Sequence, residues 1–89
     1  MTNYPNTMTN QQVANHIARS IDGDEIDAID TMLKELEGAG WTYEKPEGYF
    51  GAVVDSRGER HLLWTAQSFA DAVVVAYRLL GQYRELGWA

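Results

Sequence analysis

The stretch that most constrains the fold runs from Ser68 to Leu86, SFADAVVVAYRLLGQYREL. Wound as a helix, it confines Asp71, Arg78, Gln82 and Glu85 to one narrow stripe. Phe69, Ala70, Val73, Val74, Ala76, Tyr77, Leu80 and Tyr83 then spread over most of its circumference. So apolar a helix has to be covered by the rest of the chain. Ser68 suits the N-cap, Asp71 sits three residues on at the positive end of the helix dipole, and Gly87 follows the last turn as a stop. The β-branched run Val73-Val74-Val75 also fits a buried strand, but the length of the segment and its caps predict a helix.

The remainder divides into helical and alternating parts. Residues 1–8, MTNYPNTM, are polar, contain Pro5 and show no period, which predicts a flexible lead before a single domain over residues 9–89. Thr9 with Gln12 has the form of a capping box opening a first helix, with Val13, Ile17 and Ile21 along one face and Ala14 and Ala18 beside them. Asp22-Gly23 ends it. A second helix starts with Asp24 or a neighbour as cap and runs to Glu37, with Ile26, Ile29, Leu33 and Leu36 at helical spacing, Met32 alongside, and Asp30 four residues before Lys34. After Gly38 and Gly40 the period becomes alternating. Strands are predicted over 41–45, 49–55 and 59–65, the last two joined by Ser56-Arg57-Gly58 with Gly58 in the left-handed region. If Asp55 faces Glu59, Phe50, Ala52, Val54, Leu62 and Trp64 share one face and Gly51, Val53, His61 and Leu63 the other. Both faces are apolar, so the sheet should be covered at least partly on both sides. The expected fold is α+β: a three-stranded antiparallel sheet flanked by three helices in the order α-α-β-β-β-α, sandwich-like.

Charge is concentrated rather than spread. Between Asp22 and Glu37 seven acids stand against the single base Lys34, a net of −6, while the other six acids and six bases of the chain cancel. That pattern argues against direct nucleic-acid binding and favours a partner with a basic surface. The chain has no cysteine, which excludes disulfides, thiol nucleophiles and thiolate metal sites and suits a reducing cytoplasm. Its apolar runs are far short of the ~20 residues that span a bilayer, so no membrane association is expected.

The Gly40-Trp41 pair closing a helix, the hairpin after it, and Thr65-Ala66 leading into Phe69-Ala70-Asp71-Ala72 and Ala76-Tyr77 resemble the small phage-encoded proteins of the phage ABA sandwich family. The likeness covers about residues 24–80. Where the family pattern has a proline after the Thr-Ala pair, this chain has Gln67-Ser68, and its first helix lies outside the pattern. The resemblance implies a helix-sheet-helix sandwich and a phage or prophage origin, hence the cytoplasm of a host cell; it implies no activity.

Catalytic chemistry finds little support. The two histidines, His16 and His61, sit beside an apolar helix stripe and in mid-strand, and no serine lies in a nucleophile-elbow context, so no catalytic residue is assigned. The run Asp22-Gly23-Asp24-Glu25-Ile26-Asp27 fails the EF-hand pattern, and neither a metal nor another cofactor is expected. The leading expectation is a non-catalytic, phage- or prophage-encoded accessory protein acting by protein-protein interaction. Asp24, Asp27, Asp30 and Glu37 would steer it to a basic surface, for instance that of a host nucleic-acid-binding or defence protein which it inhibits. The alternatives are a small-ligand binder or minor enzyme built on the aromatic hairpin, and a structural subunit of a phage assembly. Trp64, His61, Tyr83 and Trp88 are the candidate ligand or interface residues, and an uncovered part of the last helix would form a homodimer interface.

Overall fold

A computed structural model describes residues 7–44, 51–63 and 66–88. Its elements are α1 (Asn10–Ser20), α2 (Glu25–Gly38), β1 (Thr42–Glu44), β2 (Ala52–Val54), β3 (Arg60–Leu62) and α3 (Phe69–Glu85). The architecture is α+β in the order α-α-β-β-β-α, as the sequence leads one to expect.

Each helix begins where its side chains can satisfy the free amides of the first turn. Thr9 and Gln12 form the capping box of α1, Asp24 and Asp27 form an equivalent box on α2, and Ser68 accepts from the Asp71 amide on α3. All three helices also end alike. At each C-terminus a residue with positive φ reverses the chain: Asp22 (56°), Gly40 (83°) and Gly87 (76°). Its own amide and the next one then bond back to the helix. Gly23, Trp41 and Trp88 donate to the carbonyls of Ala18, Leu36 and Tyr83 at 2.9, 2.9 and 2.8 Å. This is the Schellman motif, in which the residue after the reversal packs on the last turn. It thereby fixes the position of both Trp41 and Trp88.

The sheet is antiparallel in the order β1-β2-β3, with Val53 opposite Tyr43 on one side and His61 on the other. The Asp55 amide donates to the Glu59 carbonyl and Gly58 has φ of +87°, so the hairpin takes the register and turn its sequence predicts. Among the described residues the strands are shorter than predicted, residues 45, 49, 50, 64 and 65 of the predicted strands lying outside them, and Trp41 precedes β1 because its amide is spent on closing α2. Ala52 and Val53 point to opposite faces and both are fully buried, so the central strand is covered on both sides.

Two groups of buried side chains meet along α3. Val73 and Val74 pack with Val13, Ala14, Ile17, Ala28 and Met32 of α1 and α2, which is why this β-branched run stays helical. Ala72, Ala76 and Leu80 pack with Leu36, Trp41, Val53 and Leu63. Met8 packs against the first group and its carbonyl accepts from Arg78, so the described chain is anchored one residue before the Thr9 cap.

Two core assignments are corrected. Ile26 is not in the core but 78% exposed, while Ala28 and Met32 are fully buried. At about 100° per residue Ile26 lies roughly 120° around the helix from Met32, outside the arc that faces α1 and α3. Ile21, expected on the inner face of α1, is the C-cap and 40% exposed.

Candidate functional site

The residues singled out in the sequence fall into two places. The first is the outer face of α2. Asp24 and Asp27 both stand there, but their carboxylates are committed to the helix: Asp24 Oδ1 accepts from the Asp27 amide at 2.9 Å and Asp27 Oδ2 from the Asp24 amide at 3.2 Å. Asp30 pairs with Lys34 at 2.9 Å with both side chains in solvent, and this bond raises the Lys34 pKa. Glu37 is exposed. Of the four acids, then, Asp30 and Glu37 are free of any capping duty.

Next to these acids lies a feature that charge counting does not reveal. A groove of about 560 Å³ runs between α2 and the start of α3, lined by Ile26, Ile29, Leu33, Phe69 and Ala70 with Glu25 and Asp30 at its edge. Phe69 is 47% exposed and its ring meets Tyr43 edge-on at 5.4 Å. The hydrophobic spacing of Ile26 was visible in the sequence; that the residue stands outside the core became visible only once the neighbouring helices were in place.

The second place gathers His61, Tyr83 and Trp88 around residues that sequence reasoning missed. Asp55, at the end of β2, has a side chain with no exposed surface. Its Oδ1 accepts from the backbone amides of Arg57 (2.8 Å) and Glu59 (3.0 Å), which staples the hairpin turn. Its Oδ2 lies 3.0 Å from His61 Nε2. The hydrogen bond from His61, helped by the two amides and the Arg57 charge and opposed by burial, holds the Asp55 carboxyl below its ordinary pKa. An ionised carboxylate only accepts, so Nε2 carries the imidazole proton. The Tyr83 hydroxyl oxygen, 3.3 Å from the same nitrogen, is then a second and weaker acceptor.

Aromatic rings enclose this centre. Trp41 lies nearly parallel to the His61 ring at 6.1 Å and meets Tyr83 edge-on at 5.2 Å. Tyr83 in turn meets Trp88 edge-on at 5.2 Å, as the Schellman reversal at Gly87 dictates. The Arg57 guanidinium sits over both outer rings, 5.3 Å from the Tyr83 centroid and 5.0 Å from that of Trp88. Asp55 and Arg57 could have been suspected from one signal alone, an Asp opening a tight turn whose side chain can cap the amides two and four residues on.

Asp55, Glu59 and His61 each bring a donor atom within 4.8 Å of the others. The spacing resembles a metal site, but the donors are spoken for. Asp55 has used both oxygens, His61 has turned its protonated nitrogen inward, and Arg57 already places a positive charge 3.9 Å from Asp55 and 3.8 Å from Glu59. The residues fit an internal ion-pair network, not a metal centre. His61 also lines a shallow groove of about 450 Å³ with Leu63, Val75, Arg78, Leu79 and Gln82. Trp64, the other residue expected at such a pocket, lies outside the described residues, as do Tyr49 and Phe50. No helix among the described residues is long and apolar enough to cross a membrane. Comparison with family models, curated proteins and solved structures finds no match to this chain.

Proposed function

We propose that this chain is a non-catalytic interaction module whose α2–α3 groove receives a basic, amphipathic segment of a partner protein. One observation carries the reading: the apolar groove opens on α2, the helix of the Asp22–Glu37 segment that holds the entire net charge. Ile26, Ile29, Leu33, Phe69 and Ala70 offer a floor for the apolar side chains of a helix, and Glu25 and Asp30 offer a rim for flanking Lys or Arg. An exposed Ile26 in the first turn of a helix contributes nothing to this fold's own core. As part of a floor it would bury its side chain for about 1.5–3 kcal/mol. The acids would raise the association rate and the apolar floor would lengthen the lifetime of the complex. The resemblance to phage sandwich proteins supports a phage or prophage setting, in which the partner is a host protein with a basic recognition segment.

The test uses a helical peptide of leucine and lysine, a scrambled peptide of the same composition, and the glutamate counterpart of the first, each titrated into the labelled protein and followed by amide NMR. The amphipathic lysine peptide should shift α2 and the first turns of α3. Ile26→Asp or Phe69→Ser should weaken it about tenfold, ~1.4 kcal/mol. Equal binding of the scrambled peptide, or shifts centred elsewhere, would sink the reading. Charge variants belong at Asp30 and Glu37, because reversing Asp24 or Asp27 would also remove a helix cap worth about 1 kcal/mol.

A further inference from the structure

A cation already sits in the corner made by Tyr83 and Trp88, and it belongs to the protein itself. The two rings are 5.2 Å apart and nearly perpendicular at 80°, so they form two walls of a box. The Arg57 guanidinium carbon lies over both, at 5.3 and 5.0 Å, within the range in which a ring face attracts a cation. Two carboxylates close the box: Asp55 Oδ2 is 3.9 Å and Glu59 Oε2 3.8 Å from Arg57 Nη2. Those distances are longer than hydrogen bonds. Toward these four groups the guanidinium is held by charge and by ring faces, not by directed N–H bonds.

We propose that this corner is a recognition site for a bulky, weakly hydrated cation, a quaternary ammonium or a guanidinium, and that Arg57 occupies it in cis. Four features make the occupant exchangeable. Arg57 sits in the turn Ser56-Arg57-Gly58 with its side chain 49% exposed, so it can swing into solvent. What holds the turn is the Arg57 backbone amide on Asp55 Oδ1, which the side chain leaves untouched. Asp55 also keeps its bond from His61 when the guanidinium departs, so no buried carboxylate is stranded. Trp88 is itself 49% exposed, which leaves one wall open to an incoming group. A trimethylated ammonium has no N–H to satisfy and loses nothing in a site that offers ring faces and charge. The inference stands apart from the α2–α3 groove, because it uses the opposite end of α3 and none of the groove's residues.

The experiment titrates tetramethylammonium chloride into the wild-type chain and into Arg57→Ala, at constant ionic strength, and follows by NMR the Trp88 indole N–H together with the backbone amides of Gly58, Glu59 and Tyr83, which remain readable when Trp88 is replaced. Arg57→Ala, freed of its own cation, should give a saturable shift with an affinity about tenfold above wild type. Trp88→Ala should abolish binding, and Tyr83→Phe, which keeps the ring face, should retain it. Arg57→Gln, which keeps the stem and removes the charge, repeats the measurement should Arg57→Ala fail to fold. Choline and a peptide carrying one trimethyllysine then separate the two natural sources: tighter choline binding supports a free small molecule, and tighter peptide binding a modified protein. A non-saturable shift in Arg57→Ala and Arg57→Gln, equal affinity in wild type, or binding that survives Trp88→Ala would overturn the proposal.

Discussion

Asp55 shows how far one side chain can escape a sequence reading. As a letter it is an acid at a strand end, next to a turn, where a solvated carboxylate is the ordinary outcome. In the fold it is buried, accepts two turn amides and binds His61, which Trp41 and Tyr83 in turn hold in place. The consequence is a pH dependence with a definite sign. A carboxyl whose pKa is lower folded than unfolded stabilises the fold above its unfolded pKa of about 4. That contribution disappears as pH falls through the depressed folded value. Thermal melts of the wild type should therefore drop steeply below pH ~4, and Asp55→Asn should flatten that drop while lowering the melting temperature at neutral pH. Parallel acid slopes in the two proteins would show that Asp55 is not the group responsible. His61, by contrast, was recognisable as a residue worth attention, though not for its actual role of holding a buried carboxylate.

Helix ends were the most readable elements and the strands the least. Caps are local chemistry: Thr9 with Gln12, Asp24, and Ser68 with Asp71 each need only a short window of sequence, and all were visible as such. The glycines that close α2 and α3 were readable for the same reason, since a left-handed residue almost demands Gly. Ile26 and the strand limits depend instead on which neighbours arrive, and helical spacing alone could not say that Met32 would mark the centre of the buried arc. The three shared C-terminal reversals predict three unequal responses. Gly87→Ala places a Cβ at φ of +76° and should cost about 1 kcal/mol. Gly40→Ala carries the same backbone cost but should lose more, because Trp41, which it positions, is buried with Leu36. Asp22 at φ of 56° already bears that strain, so Asp22→Gly should gain up to about 1 kcal/mol. Urea denaturation of the three variants gives the ranking directly.

At the scale of the whole molecule, the uneven charge decides between modes of association. A symmetric dimer formed through the α2–α3 groove would set the same patch against itself, so that Glu25 and Asp30 of one copy face the acids of the other. Like charges across a rim repel, and the repulsion is screened within about 10 Å at 0.1 M salt. Such a dimer must tighten as salt rises. A basic amphipathic segment in the same groove must do the opposite, since its attraction to the acidic helix is what salt removes. The two occupants use one apolar floor, and both would be weakened by Phe69→Ser, so mutating the floor cannot tell them apart; the sign of the salt dependence can. Sedimentation of the free protein and titration of the leucine–lysine peptide, each across a salt series, should give a monomer that does not associate at low salt and a peptide affinity that falls with added salt. Reversing Asp30 and Glu37 to Lys should reduce that fall and slow association, leaving dissociation nearly unchanged because the floor is intact. A protein that dimerises through the groove and does so more strongly at high salt would instead assign Ile26 and Phe69 to self-assembly, with the acids as its brake.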